Sequence, residues 1–241
     1  MSVIIHLTRH AQGPHNIVTW GSDIRDPFLT AEGLQQCARV QQTFQFALSG
    51  IISSPQRRAI QTALVCFAPA VGEGLQIDLL ADLQEVGSAP VCTGMDIATI
   101  EDDFGAVVNT DYLEEDWYQT TSALSDNPDD IRERARRARV AIREYALHVL
   151  ESDEGASAEG DIHIAVVTHS MLIPYLTDGV DKREYFDNAE WRAYVFTDIR
   201  GTDTEATIVE TDHSLYRRGA RRASTSPPYP PDPAYDPQPQ R

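Results

Sequence analysis

Apolar runs rich in β-branched residues recur along the chain at Val3 to Leu7, Gly50 to Ile52, Leu75 to Leu79 and Ile162 to Val167. Runs of this kind, with little polar alternation, suit parallel strands buried on both faces. Between them the spacing lengthens to that of helices. Thr30 with Gly33 and Leu34 opens a helix running to about Leu48, Ser54-Pro55 opens one to about Phe67, and Asp129 to Glu151 predicts the longest. In that last stretch Ile131, Ala135, Ala138, Ile142, Tyr145 and Val149 fall on one helical face. Arg132, Arg134, Arg136, Arg137, Arg139 and Arg143 fall on the others, interleaved with Glu133 and Glu144, and read as a solvated charged face. Two further strands are expected at Arg192 to Asp198 and Glu205 to Thr211. The alternation predicts an α/β fold, a three-layer α/β/α sandwich with a mostly parallel central sheet. From His213 the pattern ends. That segment holds seven of the fourteen prolines and reads as a Pro/Arg-rich disordered tail, which places the folded domain at 1–212 and the tail at 213–241.

Composition narrows the function classes. With 241 residues and 41% apolar content the chain can bury a sizeable core. Its formal net charge of −17 has the wrong sign for a nucleic-acid or anionic-membrane partner, and neither is expected. Removing the tail, which is net +3, leaves a body at −20. Cys37, Cys66 and Cys92 include no CxxC spacing, so no disulfide framework and no structural zinc site is expected. The first ten residues lack the basic and apolar regions of a leader, and no apolar window reaches the roughly 18 residues of a membrane span. A cytoplasmic location follows as an expectation. The sequence does not set an oligomeric state.

In an open α/β sheet, ligands bind beyond the carboxyl ends of the strands. Two expected strands run out onto histidines there: the first into Thr8-Arg9-His10-Ala11-Gln12-Gly13-Pro14-His15-Asn16, the fourth into Thr168-His169-Ser170-Met171. After the second strand, Ser53-Ser54-Pro55-Gln56-Arg57-Arg58-Ala59-Ile60-Gln61-Thr62-Ala63 brings an arginine pair to a helix amino end. The helix dipole disfavours cations at that end, so a bound anion would relieve both charges. This pattern points to a phosphate pocket.

These three segments, in this order, resemble the signatures of the histidine phosphatase superfamily, the phosphoglycerate mutase-like proteins. The resemblance implies that His10 is a nucleophile forming a phosphohistidine, that Arg9, Arg58 and His169 hold the phosphoryl oxygens, and that Gln12 and Asn16 add amide hydrogen bonds. It implies no metal and no cofactor, because guanidinium donors take the part that Mg²⁺ plays elsewhere. The Arg that directly precedes the Ala-x-Gln-Thr segment is Arg58, which leaves Arg57 as an outward surface residue. The acid that protonates the leaving oxygen lies, by the same resemblance, in the loop after the third strand, at Glu85, with Asp82 as the alternative. One departure stands out: relatives more often have Cys-Asp-Thr-Gly where this chain has Val91-Cys92-Thr93-Gly94.

The implied activity is metal-independent hydrolysis of a small-molecule phosphomonoester. The alternatives are mutase-type phosphotransfer and a family member repurposed as another enzyme or an anion-binding module. Hydrolysis is preferred because the expected cover, residues 95–128, is acidic and has no basic run to grip a second anionic group. Tyr112, Trp117 and Tyr118 within it hint at an apolar or ring-bearing leaving group. His6 reads as structural, Met171 as core, Cys92 as a packing thiol. His15 either lines the pocket or caps its loop.

Overall fold

The computed structural model describes residues 2–18, 21–120, 124–152, 160–177, 179 and 185–224. Seven strands form one mixed sheet: β1 (Val3–Arg9), β2 (Gly50–Ser53), β3 (Ile77–Leu79), β4 (Val108–Asn109), β5 (Ile162–Thr168), β6 (Trp191–Phe196) and β7 (Ile208–Glu210). Their spatial order is β4-β3-β2-β5-β1-β6-β7. The first five in that row run parallel, and β6 and β7 close one edge antiparallel.

Alternation along the strands sends side chains to two cores, which fixes the three layers. From β5, Ile162, Ile164 and Val166 pack with Ile131, Ala135, Ala138 and Ile142 of α5 (Pro128–Glu151). Ala165 and Val167 face the opposite way, onto Cys37 and Val40 of α1 (Ala31–Thr43) and Ala59, Ile60 and Ala63 of α2 (Arg57–Cys66). The short helix α3 (Ala68–Gly72) and α4 (Ile97–Phe104) lie on the α2 side, where Ile100 is buried. Among the described residues no helix is long and apolar enough to cross a membrane.

Several details differ from the sequence reading. Helix α1 stops at Thr43, because Phe44 and Phe46 leave the helix to pack on His6 and Trp191. The expected cover at 95–128 contributes α4 and β4 to the fold itself; β4, only two residues long, was too short to leave a pattern. The Arg-bearing side of α5 is not uniformly solvated: Arg134 and Arg143 are buried.

The chain also stays regular past residue 212, as a helix from Asp212 to Ser224. Its attachments are polar, which explains why no apolar stripe announced it. Ser214 Oγ accepts from the Ala193 N–H of β6 and donates to Glu210, Arg218 pairs with Glu210, and Arg217 lies 3.3 Å from the Trp191 ring and donates to the Trp191 carbonyl. The proline-rich stretch from 225 to 241 lies outside the described residues.

Candidate active site

Strand order decides which loops meet. β2, β5 and β1 are parallel neighbours, so their carboxyl ends deliver Ser54, His169 and His10 to one edge of the sheet. Pairing of Arg9 with Thr168 brings the two histidine loops level, and the His10 N–H donates to the Thr168 carbonyl at 2.8 Å. The two imidazole centroids are 5.0 Å apart. The next strand outward, β3, ends in the loop carrying Glu85. Thr168 Oγ1 ties that loop down by donating to the Leu83 carbonyl at 2.7 Å.

His10, Arg58 and His169 are fully enclosed, and Glu85 is 7% exposed. The His10 Nδ1 lies 2.7 Å from the Ala11 carbonyl, an acceptor only, so Nδ1 carries the proton. Nε2 therefore presents its lone pair, and the Arg58 Nε approaches it at 3.4 Å. Burial pulls the His10 pKa well below its ordinary value, and the charges of Arg58, His15 and Arg9 push it the same way. The ring is thus held neutral, with a free nitrogen facing a guanidinium. His169 is likewise held neutral, by burial first and then by Arg58. Its Nε2 contacts Ser54 Oγ at 2.8 Å.

Helix α2 aims Arg58 into this space through its first turn. Arg58 Nη1 donates to the Val91 carbonyl at 2.9 Å, and Thr62 Oγ1, one turn on, donates to the Arg58 carbonyl while accepting from the Ala11 N–H. Glu85 Oε1 accepts from the backbone N–H groups of Val86 and Met171 at 2.9 and 3.2 Å. Burial raises the Glu85 pKa, against the opposing charges of Arg58, Arg9 and Arg134.

The remaining expected residues divide. The charge of Arg9 acts on His10 and Glu85, and its Nη1 donates to the Phe186 carbonyl at 2.8 Å. Gln12 Oε1 accepts from Thr30 Oγ1, and Asn16 Oδ1 accepts from the Gly13 N–H, so both carbonyl oxygens hold the loop. His15 packs 5.4 Å from His10, centroid to centroid. Asp82 is not with the others: it pairs with Arg137 at 2.7 Å. Arg57 is no outward residue, since its side chain is only 17% exposed, pairs with Asp103 at 2.9 Å and lies over Phe28. Tyr112 is exposed, whereas Trp117 is buried against Gly94, where an added Cβ would come within 2.1 Å of the indole. Cys92 is buried, bonded to the Val86 carbonyl, and its thiol pKa is pushed up to about 12 by burial and Glu85.

Four residues of the site were not found from the sequence. Gln56 and Asp26 are buried beside Arg58, Arg134 donates to the Gln84 carbonyl beneath Glu85, and Asn188 donates to the His10 carbonyl. Gln56, Arg134 and Asn188 carry no spacing signal, because the bonds that tie them to Glu85, Val91, Gln84 and His10 cross 29 residues or more. Asp26 alone had a cue: it precedes the cap and helix of α1 and accepts from the Arg57 N–H, closing the amino end of α2.

Donor atoms of His10, Glu85 and His169 lie within 4.8 Å of one another, the reach of a three-ligand metal site. Arg58 Nε lies 3.4 Å from His10 Nε2, and the charges of Arg58, Arg9 and Arg134 act on Glu85. That field favours an anion over a divalent cation. The fold and site thus define a class: an α/β protein that gathers a neutral histidine, a second histidine and a fixed guanidinium at the carboxyl edge of its sheet.

The chain belongs to the histidine phosphatase superfamily (branch 1), whose family model matches residues 5–212. Among solved structures it is similar to a mycobacterial glucosyl-3-phosphoglycerate phosphatase, at 19% identity and TM-score 0.56 over 87% of this chain and 97% of that one. It is similar also to "Mycobacterial hydrolase 1", at 22% identity and TM-score 0.56 over 87% and 97%. A third, a mutant phosphoserine phosphatase from Entamoeba histolytica in complex with phosphoserine, aligns at 15% identity and TM-score 0.52 over 87% and 95%. At these identities the likeness is one of fold. A search of the curated proteins found no match.

Proposed function

We propose that this protein is a metal-independent phosphatase that hydrolyses a small-molecule phosphomonoester through a phosphohistidine on His10. One observation carries the reading: the His10 Nε2 lone pair faces the Arg58 guanidinium while Nδ1 is committed to the Ala11 carbonyl. In the first step Nε2 attacks phosphorus in line and the ester oxygen leaves. Arg58, Arg9 and His169 take the charge that spreads over the three non-bridging oxygens, with Gln12 and Asn16 at the rim. The His169 Nδ1, buried with no partner among the described residues, gains one when an oxyanion arrives. Glu85, whose raised pKa favours the protonated acid, gives its proton to the leaving oxygen. As a carboxylate it then takes a proton from the water that cleaves the P–N bond, which returns His10 and releases inorganic phosphate.

Small phosphorylated metabolites are the expected substrate class, and the structural neighbours named for glucosyl-3-phosphoglycerate and phosphoserine support it. Hydrolysis is favoured over mutase transfer because Arg25 and Arg57, the chain neighbours of Asp26 and Arg58, are already engaged: Arg57 by Asp103, and Arg25 by the Gly94 carbonyl and the Tyr118 ring. Phosphate release from a panel of phosphomonoesters, with chelator present, tests the reading. Turnover by the wild-type protein and none by His10→Ala is the expected result; turnover surviving in His10→Ala would overturn it.

A further inference from the structure

Gln56 sits at the N-cap of α2 with its side chain fully buried. Its amide joins three segments. Oε1 accepts from the Glu85 backbone N–H at 2.9 Å and from Arg58 Nη2 at 3.3 Å, while Nε2 donates to the Val91 carbonyl at 3.2 Å. The Val91 carbonyl also accepts from Arg58 Nη1 at 2.9 Å, so Gln56, Arg58 and Val91 close a polar ring around the guanidinium. Exchanging the two ends of the amide would set its NH₂ against two donors, so its partners fix its orientation. A buried amide costs free energy unless every polar end is matched, and packing at this position would be served as well by an aliphatic side chain. The matched ends therefore point to a geometric task. The ring holds two of the three guanidinium nitrogens and leaves Nε facing His10 Nε2. The same oxygen sets the backbone at Glu85.

We propose that Gln56 is a positioning residue that holds Arg58 and Glu85 in register, so that the donor to the phosphoryl oxygens and the donor of the leaving-group proton address one ester together. This rests on the phosphatase reading above and adds to it a single amide coupling the two halves of the reaction.

The coupling has a signature that packing alone lacks. p-Nitrophenolate leaves without a proton, whereas the alkoxide of glycerol phosphate needs one. The ratio of kcat/KM for the two substrates therefore reads proton donation, and kcat/KM covers only the steps up to transfer onto His10. Gln56→Leu, and in parallel Gln56→Met in case one variant does not fold, should lower kcat/KM for glycerol phosphate about tenfold more than for p-nitrophenyl phosphate, a part of what a general acid typically contributes. Gln56→Glu, which keeps the accepting oxygen, should return the ratio towards the wild-type value. Equal losses on both substrates in a folded Leu or Met variant would overturn the inference and leave the phosphatase reading standing. A wild-type protein inactive on every phosphomonoester would instead remove the phosphatase reading and this inference with it.

Discussion

Asp26 is fully buried next to Arg58, with Oδ1 accepting from the Arg57 N–H at 3.0 Å and Oδ2 without a partner among the described residues. Burial lifts its pKa from 3.8 to about 6, although Arg58, at 3.9 Å, pulls the other way. The folded state thus binds the Asp26 proton more tightly than the unfolded chain does. Its charge costs the fold little below about pH 4 and progressively more as the pH rises through about 6, levelling near 3 kcal/mol at about 1.4 kcal/mol per pH unit. Asp26→Asn keeps the oxygen that caps α2, removes the charge, and puts an unpartnered NH₂ where Oδ2 lies, which returns about 1–2 kcal/mol of the gain. The variant should therefore be more stable than wild type by about 1–2 kcal/mol near pH 7.5, with about half of the 3 kcal/mol charge cost gone near pH 5. Urea unfolding of both proteins across that range measures it, and the difference between the two curves isolates this one group from the histidines titrating alongside it. Neutralising Asp26 also leaves the cage one charge more positive, so inhibition by inorganic phosphate should tighten severalfold. A variant less stable than wild type by the same amount at every pH would show that the Asp26 charge does not burden the fold.

Three further outcomes follow from the same geometry. Glu85→Gln should cost about 10² or more in kcat/KM for an alkyl phosphate and far less for p-nitrophenyl phosphate, and should remove the alkaline limb expected in the wild-type profile from loss of the Glu85 proton. Arg134→Met strips the Gln84 carbonyl of its donor and Glu85 of a nearby cation, so it should destabilise by about 1–3 kcal/mol in denaturant unfolding and move that alkaline limb upward. His6 is held neutral with its pKa pushed down to about 3 by burial, His163 and Arg217. Its contribution is complete above about pH 6.5 and lost as the pH falls towards 3, so His6→Leu should lower the pH midpoint of acid unfolding followed by tryptophan fluorescence.

Much of this architecture could be read along the chain because its causes are local. The unbroken β-branched run at Ile162–Thr168 made β5 legible, and the three- and four-residue spacing of Ile131, Ala135 and Ala138 did the same for α5. His10, Arg58 and His169 each sit just past a recognisable strand, so strand order alone brings them together. What escaped was structure made by distant polar pairing. The helix from Asp212 is held by Ser214, Arg217 and Arg218 on β6 and β7, and no apolar period marks it. Arg134 looked like one more solvated arginine until the fold set Gln84 above it, fifty residues away in sequence. Gln56 is of the same kind, since its value lies in Glu85 and Val91, which only the tertiary fold supplies.

In the proposed reaction the His10 Nε2 becomes bonded to phosphorus. Brief mixing with a phosphomonoester, quenching in alkali, where phosphohistidine survives, and peptide mass spectrometry tests it directly. One phosphoryl group is expected on the peptide carrying His10 in the wild-type protein, lost after acid treatment and never formed in His10→Ala. Label on any other side chain, or steady turnover with no transiently labelled His10, would contradict it.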